Sequence, residues 1–275
     1  MHTFVFTEDT IIFCIKNGNK DEAISGLRKV YPKESRESIE QMYEQKSQQF
    51  ANESSLDDNI WNVFVTSPNR KAAWMCMMIA FFNNMGGVSI IGIFATTIFD
   101  NVHKGQLLRS LSLKTELFYI GLSGFIGAVL GLWTVKYLTR RAIFIGGHLI
   151  MAVQLFFVGH FIDTKQPELV LANMCAFLVV YQMTEGPAFW VYIGDVISSD
   201  SVIGICLFFQ QILLNAQSMG TIYLINSPVG VNGLFYLLGI VQVAAFFLFT
   251  FFLKETKGLS DLDKKSLYAI KEKSA

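Results

Sequence analysis

The chain has 275 residues, 22 Lys+Arg balanced by 22 Asp+Glu, 52% hydrophobic side chains (25 of them Phe) and a mean hydropathy of +0.41. Charged residues make up 16%, against about 25% in a soluble domain, so this much apolar surface cannot be buried in one soluble domain and the chain reads as an integral membrane protein. The neutral balance excludes nucleic acid as a partner, because phosphate binding needs clustered positive charge.

Residues 1–71 hold 20 of the 44 charged side chains. Met1 leads into a polar segment with no signal peptide, so no cleavage is expected. Asn19 and Glu22 have capping-box spacing before Ala23, Ile24, Leu27 and Val30, and Pro32 closes that run. Glu34 to Phe50 is mostly polar, and Asp57 to Ser67 puts Ile60, Val63 and Phe64 on one face before Pro68. These segments read as short amphipathic helices lying under a membrane domain. They are too short and too poor in motifs for a separate catalytic domain.

Residues 72–253 hold only 14 charges, and the tail 254–275 holds 10. A helix crossing the hydrocarbon needs roughly 20 mainly apolar residues. Six stretches qualify: 72–99, 117–138, 142–162, 170–197, 202–225 and 232–253. The runs are continuous and lack the alternation of a membrane barrel, so the fold class is all-α with six transmembrane helices. If the N-terminus is cytosolic, 18 Lys and Arg lie on the inner side and four (Lys104, Arg109, Lys114, Lys165) on the outer. The positive-inside rule then puts both termini in the cytosol, and the sequon Asn52-Glu53-Ser54 should carry no glycan.

The first and fourth stretches are interrupted. Asn83-Asn84-Met85-Gly86-Gly87-Val88-Ser89 breaks the first, and Gln182-Met183-Thr184-Glu185-Gly186-Pro187 breaks the fourth at a similar depth. Pro187 removes a helix hydrogen bond and frees a carbonyl that needs a polar neighbour. In six helices the first and fourth are equivalent positions of a three-plus-three repeat, and paired interruptions of this kind mark a solute site near the midplane.

Gly121, Gly124, Gly127 and Gly131 form a small-residue face on the second stretch, suited to close helix packing. Gln210, Gln211, Asn215, Gln217 and Ser218 make the fifth too polar for lipid, and Gln211 and Asn215 share a face. Glu185 lies deep, where an ionised carboxylate is costly; it is protonated, paired with a group elsewhere, or open to an aqueous cavity. His148 and His160 read as lone structural histidines. Asp195 and the Arg140-Arg141 pair lie on the same side, as a gating contact requires. Cys14, Cys76, Cys175 and Cys206 have no paired spacing and read as reduced packing residues. With no nucleophile–base pair, metal cluster or phosphate loop in view, neither an enzyme nor a cofactor is expected.

At these residues the chain resembles the sugar porter (hexose-transporter-like) family of the major facilitator superfamily, over nearly its whole length but only in that family's second half. The seventh-helix pattern F-Q-Q-x-S-G-x-N-x-x-x-Y-Y-x-x-x-I-F is similar to Phe82-Asn83-Asn84-Met85-Gly86-Gly87-Val88-Ser89, running on through Ile93-Phe94 to Ile98-Phe99. The eighth-helix ending [D/E]-R-x-G-R-R keeps only Arg140-Arg141. The tenth-helix G-P-x-P-W-x-x-x-x-E appears as Gly186-Pro187-Ala188-Phe189-Trp190 with Asp195 in place of the glutamate, and the tail motif P-E-T-K-G as Lys254-Glu255-Thr256-Lys257-Gly258. The motif P-E-S-P before the first helix is reduced to Glu8. Gly124 stands where the family has a substrate-bonding asparagine, and Gln182 where it has a glutamate.

The resemblance implies one six-helix half of a major facilitator fold: 1–71 as a central-loop-like cytosolic segment, 72–253 as the bundle and 254–275 as a cytosolic tail. It implies a sugar or polyol bound by Asn83, Asn84, Ser89, Gln182, Trp190 and Asn215, with Trp190 stacking on the sugar. It also implies that Arg140 and Arg141 pair with Asp195 and Glu255 in the outward-open state. Alternating access needs two bundles, so an N-terminal half or a second chain is an expected partner, alongside the lipid bilayer. Three functions stay open: transport of a hexose or similar polyol, a non-transporting sugar-binding or truncated relic, and a proton-coupled transporter of another solute through Glu185.

Overall fold

The computed structural model describes residues 11–32, 34–54, 64, 70–103, 112–197 and 200–268. The chain falls into two compact units, Met1–Asn62 and Val63–Ala275.

The first unit holds α1 (Ile11–Lys16), α2 (Lys20–Val30) and α3 (Arg36–Ser54). Ala23 and Leu27 of α2 are buried with Cys14, Ile15, Ile39 and Tyr43, giving this segment a small core of its own. The Asn19–Glu22 pair does not form a capping box: the Asn19 side chain leaves the backbone uncapped and donates to Glu22 Oε2 at 3.4 Å. The helix expected over Asp57–Ser67 lies outside the described residues except for Phe64, as does Glu8.

Among the described residues, the second unit contains six helices long and apolar enough to cross a membrane, and the protein is a multi-pass integral membrane protein. The first span is α4 (Arg70–Asn84) and α5 (Val88–His103); the second is α6 (Leu113–Tyr137) and the third α7 (Arg140–Asp163). The fourth is α8 (Pro167–Met183) and α9 (Glu185–Val196), followed by α10 (Asp200–Ile225), α11 (Gly230–Phe252) and the short tail helix α12 (Asp261–Ser266). Local chemistry explains the ends. Ser112 and Thr139 accept from the N–H groups of Thr115 and Ala142, capping α6 and α7, and Pro167 opens α8 where its missing N–H is no loss. The two interruptions expected from sequence are both present, each splitting one span into two helices.

α7 packs most extensively on α11, and α6 on α8. The core is divided in depth. One apolar cluster joins α4, α9, the start of α7, the end of α11 and Tyr268 of the tail. A second joins α5, α8, the later part of α7 and the start of α11. Between them lies a layer of buried polar side chains, Asn83, Asn84, His148, Thr184, Glu185 and Gln242, at the level of the two breaks.

The glycine face of α6 divides the same way. A Cβ on Gly127 would sit 2.7 Å from the Val179 carbonyl oxygen, and one on Gly131 2.7 Å from that of Gln182, so α8 touches backbone at both. Gly121 and Gly124 face open space instead. Gly127→Ala is therefore expected to cost about 1–3 kcal/mol by overpacking. Gly124→Ala should be neutral, or stabilising by up to about 1 kcal/mol through helix propensity. Thermal unfolding of both variants in one detergent checks the contrast.

Candidate functional site

The second break is built around a freed carbonyl. Pro187 has no N–H to give Met183, and the Met183 carbonyl is instead taken by the Thr134 hydroxyl of α6. Thr184, between the helices, donates its N–H to the Val180 and Tyr181 carbonyls. Gly131 lets α6 approach: its Cβ would lie 3.2 Å from the Pro187 ring. Gln182 folds back on this backbone, its Oε1 2.7 Å from where a Gly186 Cβ would be.

At the first break the chain turns through Gly87, whose φ of +92° is a left-handed conformation that favours glycine. The turn holds Asn83 and Asn84 inward against α10. Asn84 donates to the Gln210 carbonyl at 2.5 Å, while Asn83 Oδ1 accepts from the Gln210 amide at 3.4 Å and from the Tyr181 hydroxyl at 3.3 Å. Asn83 Nδ2 is buried with no hydrogen-bond partner among the described residues.

These groups line a cavity of about 290 Å³ that brings together Asn83, Asn84, Ser89 and Trp190 with Tyr181, Gln210 and Gln211. Trp190 is 57% exposed and stands edge-on to Phe189 at 5.2 Å. Two of the six binding residues expected from sequence are not in the lining. Gln182 packs on the α6–α8 contact, and Asn215 is exposed with its amide returned to the Gln211 carbonyl of its own helix. Tyr181 carries no signal in the sequence beyond its place one residue before Gln182. Gln210 was visible only as one of several polar residues on the fifth span.

The charged residues meet at the end of the bundle that carries the tail. Glu255 is held by backbone: its carboxylate accepts from the N–H groups of Arg140 at 3.0 Å and Arg141 at 2.9 Å, the first turn of α7. Those donors have no partner within a helix, and the helix dipole favours an anion there. The Arg141 guanidinium goes instead to the Thr250 carbonyl at 2.6 Å. Arg140 Nε lies 3.9 Å from Asp195, too far for a hydrogen bond. Asp195 is bonded by Lys264 at 3.0 Å and the Thr256 hydroxyl at 2.9 Å, both from the tail. The expected side-chain pairing of Arg140 and Arg141 with Asp195 and Glu255 is thus replaced, apart from the long Arg140–Asp195 approach, by a tail clamped onto a helix N-terminus.

Glu185 opens α9 fully buried, with His148 Nε2 of α7 2.7 Å from Oε1. Of the three environments open to it in sequence, the structure places it in a pair. His148 is correspondingly not a lone residue: its Nδ1 also meets Gln242 Oε1 of α11. The partners sit on three different helices, so spacing along the chain holds no trace of them.

Comparison with known proteins adds a family. The model described as "Sugar (and other) transporter" matches residues 1–264. The chain is 23% identical over 271 residues to sugar transport protein 11 of Arabidopsis thaliana, covering 92% of this chain and 50% of that protein. It is 22% identical over 270 residues to hexose transporter 1 of Toxoplasma gondii, covering 94% and 46%. A solved structure of the major facilitator superfamily proton:xylose symporter XylE, a protein of E. coli, superposes with a TM-score of 0.79 at 17% identity, covering 96% of this chain and 55% of the other. The chain spans about half the length of the curated relatives it matches.

The Glu255 clamp has a pH signature. Burial raises the carboxyl's pKa, but the N–H groups of Lys257, Arg141 and Arg140 and the Thr139 hydroxyl outweigh it and hold the group below its ordinary 4.5. A depressed carboxylate stabilises the folded state above its unfolded value and loses that contribution as pH falls through the folded one. A nitroxide on Leu259→Cys should stay immobile from neutral pH down to 4.5 and loosen only below it. Glu255→Gln should loosen the label throughout, without a step. A wild-type step above that value would contradict the clamp.

Proposed function

Since the chain belongs to the sugar (and other) transporter family, we propose that it is the C-terminal half of a sugar transporter and moves a hexose, pentose or similar polyol by alternating access. The observation that carries this is the shared cavity, in which polar groups of the first and fifth spans converge beside an aromatic ring at the second break. A polyol needs neighbours that both donate and accept, as amides do. The Gln211 side chain, exposed on the cavity lining, can meet a ligand hydroxyl, and the exposed Trp190 ring offers an apolar face to the sugar's C–H groups. The names of the relatives, which include hexose and D-xylose transporters, support the substrate class.

In this reading the bundle works with a second six-helix bundle, supplied by an N-terminal half or another chain, and both termini face the cytosol. Residues 1–71 then lie in the central-loop position, 72–253 form the bundle and 254–275 the cytosolic tail. α6 and α10 are the least buried spans, and α10 exposes Gln211 at the cavity and Asn215 below it; this is the face a partner bundle covers. A second reading, a sugar-binding membrane protein that does not transport, rests on the short polar side chains Asn83, Asn84 and Ser89 in the lining and on Gly124, which faces open space.

The test is binding and uptake of labelled hexose and xylose in vesicles holding this chain, alone and with a relative's N-terminal half. Flux with the partner supports transport, and binding without flux selects the second reading. Folded protein that does neither removes both. Asn83→Ala should weaken binding about 2- to 10-fold, the worth of one neutral hydrogen bond, and Trp190→Ala at least as much.

A further inference from the structure

Away from the sugar cavity, the two helix breaks are joined by a chain of buried polar side chains. Gln242 of α11 reaches the first break, where Gly86 admits it: a Cβ on Gly86 would stand 2.8 Å from Gln242 Nε2. The other end of that amide meets His148 Nδ1. The opposite ring nitrogen, Nε2, lies 2.7 Å from Glu185, the first residue after the second break. Gly147, beside His148, in turn seats the Thr184 side chain, with 2.8 Å from its would-be Cβ to Thr184 Oγ1. Gln242, His148 and Glu185 are each at most 1% exposed.

The proton count of this chain is constrained. With Gln242 Oε1 facing Nδ1, the ring donates from Nδ1. The second nitrogen and the carboxyl then face each other across 2.7 Å and share one proton, held either by the imidazole as a salt bridge or by the carboxyl as a neutral pair. Both forms have zero net charge. Removing that proton leaves an uncompensated carboxylate, and adding another leaves an uncompensated imidazolium, between two apolar clusters; both are disfavoured while the breaks stay packed. Beyond the close approach of His148 Nε2, neither Glu185 carboxylate oxygen has a hydrogen-bond partner among the described residues.

The surroundings hold little that competes. Of the elements packed on α9, α8 presents the Tyr181 phenol within electrostatic reach of Glu185. α11 presents Gln242. α6 presents Thr134 and its glycines at this level, and α4 presents Asn83. The charges of α7 and α12 that meet α9, those of Arg140 and Lys264, are at Asp195, ten residues and about 15 Å along the helix.

We propose that Glu185, His148 and Gln242 form a proton-binding site linking the two helix breaks, which holds its proton while the breaks are packed and exchanges it when they open to water. It rests on the transport reading for its use: substrate that favours one arrangement of the breaks changes the proton's affinity, and by linkage pH changes the substrate's affinity.

The experiment separates the site from its use. Difference infrared spectra of the full chain in nanodiscs, recorded as the pH is varied, should show one carboxyl band that Glu185→Gln abolishes and His148→Gln displaces. Absence of any Glu185-dependent titration in folded wild-type protein overturns the site, whether or not sugar binds. If Glu185→Gln does not fold, the displacement in His148→Gln decides alone. Adding hexose or xylose should move the band's midpoint, and sugar affinity should change by up to about tenfold per pH unit for one linked proton, a dependence lost in Glu185→Gln. Sugar that binds with no shift overturns the coupling and leaves the transport reading standing. A pH-titrating band in protein that binds no sugar overturns the transport reading and supports the proton site.

Discussion

The structure is organised by one requirement: in a bilayer no backbone or side-chain polar group can turn to water, so each must find a partner inside the protein. Two spans create such groups at mid-depth. Pro187 withholds a hydrogen bond from the Met183 carbonyl, and the Thr134 hydroxyl takes it. The turn at Gly87 ends α4 early, and its last residues, Asn83 and Asn84, turn their amides onto α10 and Tyr181. The breaks are therefore held by specific hydrogen bonds from three neighbouring helices, and apolar packing fills the levels above and below them.

That arrangement gives the polar layer two sides with different properties. Toward α10 it opens into a cavity whose rim, Gln211 and Trp190, is exposed. Toward α7 and α11 it is closed, with Glu185, His148 and Gln242 removed from solvent. Both sides hang on the same two interruptions, since Asn83 follows from the first break and Glu185 from the second. A change in the angle of either break must alter the cavity and the closed cluster together, because cores this tightly packed move between discrete arrangements and do not deform smoothly.

The spans and their interruptions were legible in the sequence because they rest on local signals: unbroken apolar length, an Asn-Asn-x-Gly-Gly run and a Gly-Pro pair. What was hidden depends on rotation about a helix axis or on distance along the chain. Gln210 and Gln211 are neighbours, yet the 100° between them turns Gln210 inward to Asn83 and leaves Gln211 on the rim. Asn215 shares the outward side with Gln211, as its four-residue spacing implied, and that side is exposed and not a binding wall. Lys264 could not be matched to Asp195 because the tail's path is set by tertiary contacts such as the 2.7 Å pair of Tyr192 and Tyr268 hydroxyls. Glu255 misled for another reason: its partners are the backbone N–H groups of the arginines, which no residue type advertises.

The glycines of α6 show how far a composition pattern carries. Four of them share a helical face, and close packing is a sound expectation for such a face in lipid, where apolar contact alone does not drive helices together. The structure uses only the half that faces α8. Gly127 and Gly131 sit against the α8 backbone just before the second break, so that Thr134, one turn further on, can reach the Met183 carbonyl. Larger residues at these two positions would push α6 away and leave that carbonyl without its partner. The glycine pair and the broken helix are thus one device. Gly121 and Gly124 lie beyond its reach, and the open space before them shows that a small-residue face earns its meaning from what it must bring close, not from its length.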